Sequence, residues 1–412
     1  MRDNNLISTV NKKFRIVREE PWLTLALPIS LVSLLLIFLL RPLIKIRIGF
    51  LRCDRLGHFG ANTELYLCER EKNKIKTLDL FYYPRKVCNK QLAKMWQREL
   101  IVLPWFLLRP LDLIIRSFDA LRPLHAAEGK GGDRDILNLM DEMSPHLGFT
   151  ATEEKRGQAG LRAMGIPEGA QFVCLTVRDS AYLASHYQGA DTSAHNFRDS
   201  DIQNVVLAAE ALADRGYYIV RMGAKVRAPF ESASEQVIDY ATNGMRSDFM
   251  DIYLGAKCAF CISTSTGFDA VPFIFRRPIV YINSVHIGWL FTFSKRFLAI
   301  AKHHYSIREG RELSLREIFS NDVGFSLSGA DYEAKGIRLI ENTPEEIRDV
   351  VIEMDELIKG TWKPLAEDAE LQKKFWEIFP TKAINITGAP FHGEIRSHFG
   401  AVFLRNNKGW LS

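Results

Sequence analysis

The chain has 412 residues, of which 25% are charged and 47% hydrophobic, and its net charge is +5. This length exceeds one ordinary hydrophobic core, so we expect two domains, and the composition is that of a globular protein. The positive charge is spread along the sequence without a long basic block, which argues against a dedicated nucleic-acid-binding protein and permits anionic ligands or an acidic membrane surface. The six scattered cysteines do not form a disulfide framework of the secreted type.

Residues 22–40 contain no charged side chain. A run of about twenty apolar residues can cross the hydrocarbon core of a bilayer, so we predict a membrane anchor that either spans the membrane or lies in its interface. A buried core helix is the alternative, and it is less favoured because the run ends directly at Arg41-Pro42 before a new strand. Basic residues flank the run about equally, so the positive-inside rule gives no orientation.

The first predicted strand, residues 43–51, is followed by a segment that contains Gly57, His58 and Gly60. We interpret this segment as a glycine-containing turn before a helix that runs through Leu65. Histidine is the side chain best suited to proton transfer near neutral pH. His58 is therefore a candidate catalytic base, and the alternative is the structural role that a single histidine more often has.

Residues 100–115 are strongly apolar and are interrupted by Pro104 and Pro110, so each piece is too short to span a bilayer. With Trp105 and the neighbouring arginines, these pieces resemble interfacial membrane segments. The packing of core helices explains them equally well.

A second domain is predicted to begin near Gly165. Residues 172–177 and 217–221 are apolar runs that predict buried strands, and residues 199–215 between them predict a helix with one apolar face. Basic side chains occupy the predicted carboxyl ends of these strands, namely Arg178, Arg221 and Lys225. Because the carboxyl ends of parallel strands share one edge of the sheet, these side chains are candidates for binding a diphosphate.

Residues 258–283 predict a strand, a polar turn, a helix and a second strand, which is the βαβ unit of a parallel sheet. The turn carries consecutive hydroxyl side chains closed by a glycine: Ser263, Thr264, Ser265, Thr266 and Gly267. Free backbone N–H groups and the helix dipole at such a turn favour a phosphate, and ordinary helix N-capping is the alternative. Asp269 is expected either to orient a sugar hydroxyl or simply to lie favourably near the helix N-terminus.

Other motifs carry less weight. The D-x-D patterns at residues 133–135 and 199–201 could each hold a divalent metal with a nucleotide, but such patterns are common by chance. The C-x-x-C at residues 258–261 lies in an apolar strand and predicts core packing. We therefore expect no metal site. Residues 343–346 form a capping box for a helix that ends at Gly360, and the following tail is predicted to be irregular.

Two segments resemble a family of bacterial glycosyltransferases of surface polysaccharide pathways: CDRLGHFGANTELYLCE at residues 53–69 and STSTGFDAVPFIFRRPIVYIN at residues 263–283. The resemblance covers most of the chain after Leu43. More distantly, the chain is similar to heptosyltransferase-like enzymes of the GT-B fold, in which two Rossmann-like domains face a cleft. The resemblance implies an α/β protein with a tail and anchor helix (1–42), an acceptor domain (43–164), a nucleotide-sugar domain (165–360) and a tail that crosses back (361–412).

The resemblance also implies roles for the candidate residues. His58 or Asp54 would be the base, and Gly57, Gly60 and Asn62 would belong to the acceptor loop. The donor site would include Arg178, Arg221, Lys225, the Ser263–Gly267 turn and Asp269. The implied partners are a nucleotide sugar, a lipid-linked or polysaccharide acceptor and the cytoplasmic face of the bacterial inner membrane, with no metal and no cofactor beyond the donor.

Two other functions compete with this interpretation. A nucleotide-sugar 2-epimerase uses the same two-domain fold, but it needs no membrane anchor. A non-catalytic membrane scaffold would keep the sheet and bind nothing, and the basic and hydroxyl groups at strand ends argue against it.

Overall fold

The computed structural model describes residues 22–126, 132–182, 193–386 and 388–412. Its helices, α1 to α14 in chain order, are Trp22–Leu40, Leu56–Lys72, Lys90–Glu99, Trp105–Ser117, Leu139–Glu142, Ala151–Ala163, Val206–Ala213, Asp248–Lys257, Ala270–Ile274, Leu315–Ser320, Gly329–Ala334, Pro344–Lys359, Asp368–Ile378 and Ala401–Asn406. Its strands, β1 to β13 in chain order, are Ile46–Phe50, Leu78–Tyr82, Ile101–Val102, Phe172–Thr176, Tyr218–Arg221, Val237–Ile238, Cys261–Ser263, Ile279–Ser284, Phe297–Ala301, His303–Ser306, Arg311–Glu312, Ile337–Ile340 and His398–Phe399.

The chain forms two compact units that interleave along the sequence. The small unit comprises Met1–Asp54, Arg70–Cys88 and Ala93–Glu128, and the large unit comprises Arg55–Glu69, Asn89–Leu92 and Gly129–Ser412. The domain limits proposed from the sequence, at residues 43, 165 and 361, stay predictions.

The small unit is built on a parallel sheet of three strands in the order β1-β2-β3. Helix α4 packs on this sheet through Leu108, Leu111 and Ile115, which lie in one core cluster with Ile48 and Tyr82. The prediction that Pro110 interrupts this segment is wrong, because Pro110 lies inside α4. A proline inside a helix costs about 3 kcal/mol, and burying several large apolar side chains, at roughly 1.5–3 kcal/mol each, outweighs that cost.

Helix α1 covers the segment predicted to be a membrane anchor. It packs against α4, where the Trp22 and Trp105 rings meet edge to face with centroids 5.1 Å apart. Many of its apolar side chains are exposed, including Leu25 at 81% and Ile29 at 71%. In the described part of the chain, no helix combines the length and the hydropathy that crossing a membrane requires.

The large unit contains a seven-stranded parallel sheet in the order β6-β5-β4-β7-β8-β9-β13. When β4 is counted as the first strand, the first six strands follow the 3-2-1-4-5-6 order of a doubly wound Rossmann fold. The strand order reverses between β4 and β7, and ligands of such sheets bind outside the carboxyl ends of the strands at this switch point. The prediction of an α/β protein with parallel sheets is confirmed.

Two helices of the large unit can be compared directly with the helices that the sequence predicts. Helix α12 has the predicted capping box, in which the Thr343 side chain accepts from the Glu346 backbone, and its cap residue Gly360 has φ 68°. The single helix predicted over residues 199–215 is instead a 3-10 helix at Ile202–Val205 followed by α7. Its start is later because Asp201 caps the 3-10 helix, accepting a hydrogen bond from the Gln203 backbone.

The tail predicted to be irregular is ordered into α13, β13 and α14, so that prediction is wrong. Its aromatic side chains explain the difference: the Phe375 and Phe399 rings stack with centroids 4.2 Å apart, and Trp410 stacks on Phe399 at 5.4 Å. Burial of these large rings orders the segment, and β13 then extends the main sheet beside β9. A separate antiparallel sheet, β11-β10-β12, completes the large unit.

Candidate functional site

The switch point brings two predicted elements of the site together. Thr176 at the end of β4 is in register with Ser263 at the end of β7, so the segments that follow leave the sheet side by side. The backbone N–H of Arg178 donates to Thr264 Oγ1 at 2.8 Å, and the hydroxyls of Thr176 and Thr266 are 3.1 Å apart. The hydroxyl turn, residues 263–267, is therefore held against the segment that carries Arg178.

Most of the hydroxyls in this turn serve the turn itself. Ser263 Oγ donates to Asp269 Oδ2 at 2.9 Å and accepts from the backbone N–H groups of Ser265 and Thr266 at 3.0 and 3.4 Å. Thr266 Oγ1 accepts from the backbone of Phe268. The N–H groups of Ser265, Thr266 and Phe268, which we expected to be free, are thus used inside the turn.

The helix after the turn also differs from the prediction. A 3-10 helix at Gly267–Asp269 leads into the short α9, in place of the single helix that the sequence predicted after the turn. Ser265 has the left-handed φ of 60°, and its carbonyl accepts a hydrogen bond from Arg198 Nη2 at 3.0 Å. The turn therefore keeps its shape through local side-chain hydrogen bonds and one arginine, without a long helix behind it.

Asp269 lies beneath the turn and is buried. Burial raises the pKa of Asp269 to about 7, and the hydrogen bonds from Ser263 and from the Thr266 backbone act in the opposite direction. This carboxyl group accepts from the Ser263 hydroxyl that organises the turn. We conclude that Asp269 supports the turn, and its predicted contact with a sugar hydroxyl stays a prediction.

The three basic residues predicted for the site differ in their contacts with the hydroxyl turn. Arg178 lies beside the turn, with its side chain 16% exposed and its Nε 3.5 Å from Asp199 Oδ1. Arg221 is buried and binds Asp239 Oδ1 at 3.0 Å and the carbonyl of Ala228 at 3.1 Å, so it joins the loops after β5 and β6. Lys225 is exposed on the loop after β5. Within the described residues, no hydrogen bond or ion pair joins Arg221 or Lys225 to the turn.

The segment of His58 contributes to the same site. His58 lies in the first turn of α2, whose residues 56–69 belong to the large unit. Its Nδ1 is 3.7 Å from Asp133 Oδ2 and 3.4 Å from Asn62 Oδ1. The imidazole is 33% exposed, so it is open to solvent while a carboxylate lies beside its ring.

The glycines near His58 act differently from the prediction. They lie inside α2 and not in a turn, because the helix begins at Leu56. A Cβ on Gly57 would be 3.4 Å from the Cα of Gly267, and a Cβ on Gly60 would be 3.4 Å from the Cβ of Ala270. A Cβ at either glycine would be in van der Waals contact with its neighbour, so the first turn of α2 lies close to the hydroxyl turn.

Asp54, the other candidate base, belongs to the small unit. Its carboxylate binds Arg85 Nη1 at 3.0 Å. Asp54 is therefore paired inside the small unit, whereas His58 lies beside the hydroxyl turn of the large unit.

No family model matches the chain, and no curated protein matches it. Solved structures do match. A glycosyl transferase family 9 protein from Veillonella parvula is 10% identical, with 77% of this chain and 97% of that chain covered and a TM-score of 0.42. The ADP-heptose LPS heptosyltransferase II of E. coli is 15% identical, with 76% and 99% covered and a TM-score of 0.42. The iron-containing dodecameric glycosyltransferase TibC of enterotoxigenic E. coli is 13% identical, with 58% and 58% covered and a TM-score of 0.28. All three are described as glycosyltransferases or heptosyltransferases, and each is at most 15% identical to this chain.

One cluster in the large unit has the composition of a metal site. Possible ligand atoms of Glu64, Cys68 and His146 lie within 4.8 Å of one another. Arg276 Nη2 already lies 2.7 Å from Glu64 Oε1 and 3.7 Å from Cys68 Sγ. Burial raises the pKa of Cys68 to about 12, so its thiol is protonated. We interpret this cluster as a buried ion pair, because a guanidinium occupies the position next to the carboxylate.

The two D-x-D patterns have other uses. Asp135 accepts hydrogen bonds from the backbones of Leu139 and Met140 at 2.8 Å, and Asp201 caps a 3-10 helix as described above. In the C-x-x-C, Cys258 and Cys261 are both fully buried, as the prediction of core packing requires.

Proposed function

We propose that this protein is a GT-B glycosyltransferase that moves a sugar from a nucleotide-sugar donor to a lipid-linked, lipopolysaccharide or polysaccharide acceptor. One observation carries the proposal: the His58 segment, Arg178 and the hydroxyl turn meet at the switch point of one Rossmann-like sheet. A base, a cation and a polar turn at such a point are what the transfer of a sugar from a diphosphate requires.

In the proposed reaction, His58 removes the proton from an acceptor hydroxyl. The hydroxyl oxygen then bonds to the anomeric carbon of the donor, and the bond from that carbon to the diphosphate breaks. Negative charge grows on the departing nucleoside diphosphate, where Arg178 stabilises it. Asp133 would hold the ring of His58 and stabilise the imidazolium that forms. We favour His58 over Asp54 because Asp54 is paired with Arg85.

The other predicted residues have supporting places in this proposal. Asp269 and Ser263 shape the turn, and Gly57 and Gly60 lie where the two segments approach each other. Lys225 follows a neighbouring strand whose carboxyl end shares the same edge, so its exposed ammonium is proposed to reach the nucleotide. Arg221 is proposed to fix the loop that carries Lys225. No metal and no additional cofactor are required by this scheme.

The donor site is tested by thermal unfolding with nucleoside diphosphates and their sugars, on the wild type and on Lys225→Ala and Ser265→Ala. One nucleotide class should stabilise the wild type by about 2.7 kcal/mol at a hundredfold excess over its Kd, and each variant should lose part of that gain. Ser320→Ala, on α10, is the matched control. A folded wild type that responds to no nucleotide would revive the non-catalytic scaffold. Conversion of the donor in the absence of any acceptor would favour the epimerase.

We also propose that the protein works at a membrane, on the cytoplasmic face of the bacterial inner membrane. The support is the uncharged segment 22–40, the exposed apolar side chains of α1, and the exposed Trp105, Phe106 and Leu107 on the adjoining α4. Such surfaces bind the interfacial layer of anionic bilayers.

Flotation with vesicles that contain anionic lipid tests this membrane proposal. Leu36 and Leu39 of α1 are 52% and 65% exposed, so the double variant Leu36→Glu/Leu39→Glu should fold and should no longer float with the vesicles. Leu365, which is 55% exposed in the large unit, provides the control Leu365→Glu. Equal flotation of the double variant and the wild type would count against the proposal.

A further inference from the structure

A second arginine, Arg198, lies at the hydroxyl turn beside Arg178. Arg198 ends the 3-10 helix Ser193–Arg198 and reaches the turn, where its Nη2 donates to the Ser265 carbonyl at 3.0 Å. Arg178 is fixed from the other side, through the hydrogen bond from its backbone to Thr264. The two guanidinium groups therefore belong to different segments that meet on the same turn.

The charges of this pair are incompletely balanced. Arg178 faces Asp199 at 3.5 Å, but Arg178 Nε and Asp199 Oδ1 are both buried and lack a hydrogen-bond partner. Within the described residues, the hydrogen-bond acceptor of Arg198 is a neutral carbonyl. Burial first and the charge of Arg178 second lower the pKa of Arg198 to about 10, and the carboxylates of Asp269 and Asp199 act in the opposite direction. Two half-buried like charges disfavour each other, and Arg178 Nε still lacks a hydrogen-bond partner, so an anion that joins the two guanidiniums would be favourable.

On the basis of the proposed function, we infer that Arg198 and Arg178 together bind the diphosphate of the donor. Arg198 is then a binding residue that completes the site. A guanidinium presents parallel N–H groups that match two phosphate oxygens, and two guanidiniums match two linked phosphates. A monophosphate engages only one of them. The pair thus selects nucleoside diphosphates over monophosphates and faces the group on which charge grows during transfer.

The test measures the affinities of nucleoside diphosphates, the corresponding monophosphates and inorganic pyrophosphate for the wild type, Arg198→Gln and Arg198→Lys by calorimetry. Arg198→Gln should weaken the binding of diphosphate and pyrophosphate by about 10- to 100-fold and that of monophosphate by less than about threefold. Arg198→Lys should restore part of the loss, because it keeps the charge without the planar fork. Arg316→Gln, an exposed arginine on α10, is the matched control.

The outcomes separate this inference from the proposed function. Diphosphate binding that is unchanged in both Arg198 variants would overturn the inference and leave the donor site standing. Pyrophosphate binding that depends on Arg198, without binding of any nucleotide, would support the arginine pair and contradict the donor role. Binding of neither nucleotide nor pyrophosphate to the folded wild type would overturn both. Circular dichroism of each variant establishes that it is folded. Arg198→Lys is a second and milder substitution at the same position.

Discussion

Replacing His58 with alanine should lower kcat for sugar transfer by about 10²- to 10⁴-fold, which is the usual contribution of a general base. The imidazole is partly exposed beside the hydroxyl turn, and the Asp133 carboxylate lies 3.7 Å from its Nδ1. In the proposed reaction, an acceptor hydroxyl that keeps its proton because the imidazole is absent would attack the donor more slowly. The measurement is steady-state transfer with a fixed acceptor, with kcat and KM for the donor determined separately.

Controls make this prediction specific to the base. The donor should still stabilise His58→Ala against heat, since the diphosphate contacts are left in place. His398→Ala, an exposed histidine on β13, should retain full activity. Asp133→Asn should lower kcat by less than His58→Ala does and should change the pH profile, as expected of a positioning residue. If His58→Ala kept more than a tenth of the wild-type kcat, Asp54 would become the better candidate, and Asp54→Asn would be the next variant.

Replacing Arg276 with alanine should destabilise the large unit by about 3–5 kcal/mol, the cost of leaving a buried charge without its partner. The side chains of Arg276 and Glu64 are 8% and 0% exposed, and their ion pair is 2.7 Å long. Arg276 also donates to the carbonyls of Met143 and Ser144 at 3.0 Å. The measurement is urea unfolding followed by circular dichroism.

The double variant Arg276→Ala/Glu64→Gln separates the lost charge pair from the lost backbone contacts. It should recover part of the stability, because a neutral amide is cheaper to bury unpaired than a carboxylate. Arg348→Ala is the matched control, since Arg348 is 37% exposed and pairs with the adjacent Asp349, and its loss should cost less than about 1 kcal/mol. Equal losses of unfolding free energy for Arg276→Ala and Arg348→Ala would show that the ion pair between Arg276 and Glu64 contributes little to the stability of the large unit.

The sequence predicted the large-unit sheet well because its strands are nearly continuous apolar runs. Such runs mark buried parallel strands, so β4 and β5 lie within one residue of their predicted limits. Local chemistry also predicted the capping box of α12, because its hydrogen bonds join residues three apart. The position of the hydroxyl turn at a strand end follows from the same logic.

Tertiary contacts explain what the sequence did not predict. Gly57 and Gly60 have low helix propensity and indicated a turn, yet packing against Gly267 and Ala270 places them in a helix. Arg198 follows a segment without periodicity, so nothing local marked it. Its position at the hydroxyl turn follows from a hydrogen bond to Ser265, which lies 67 positions later in the sequence.

The contact between Gly57 and Gly267 joins two backbones directly, with no side chain between them. Side chains change rotamer within nanoseconds and adjust to new neighbours, whereas a spacing set by two backbones has no such freedom. The distance from His58 to the hydroxyl turn is therefore a stiff dimension of the molecule. In the proposed reaction, differences in donor or acceptor would therefore come from the surrounding loops and not from this contact.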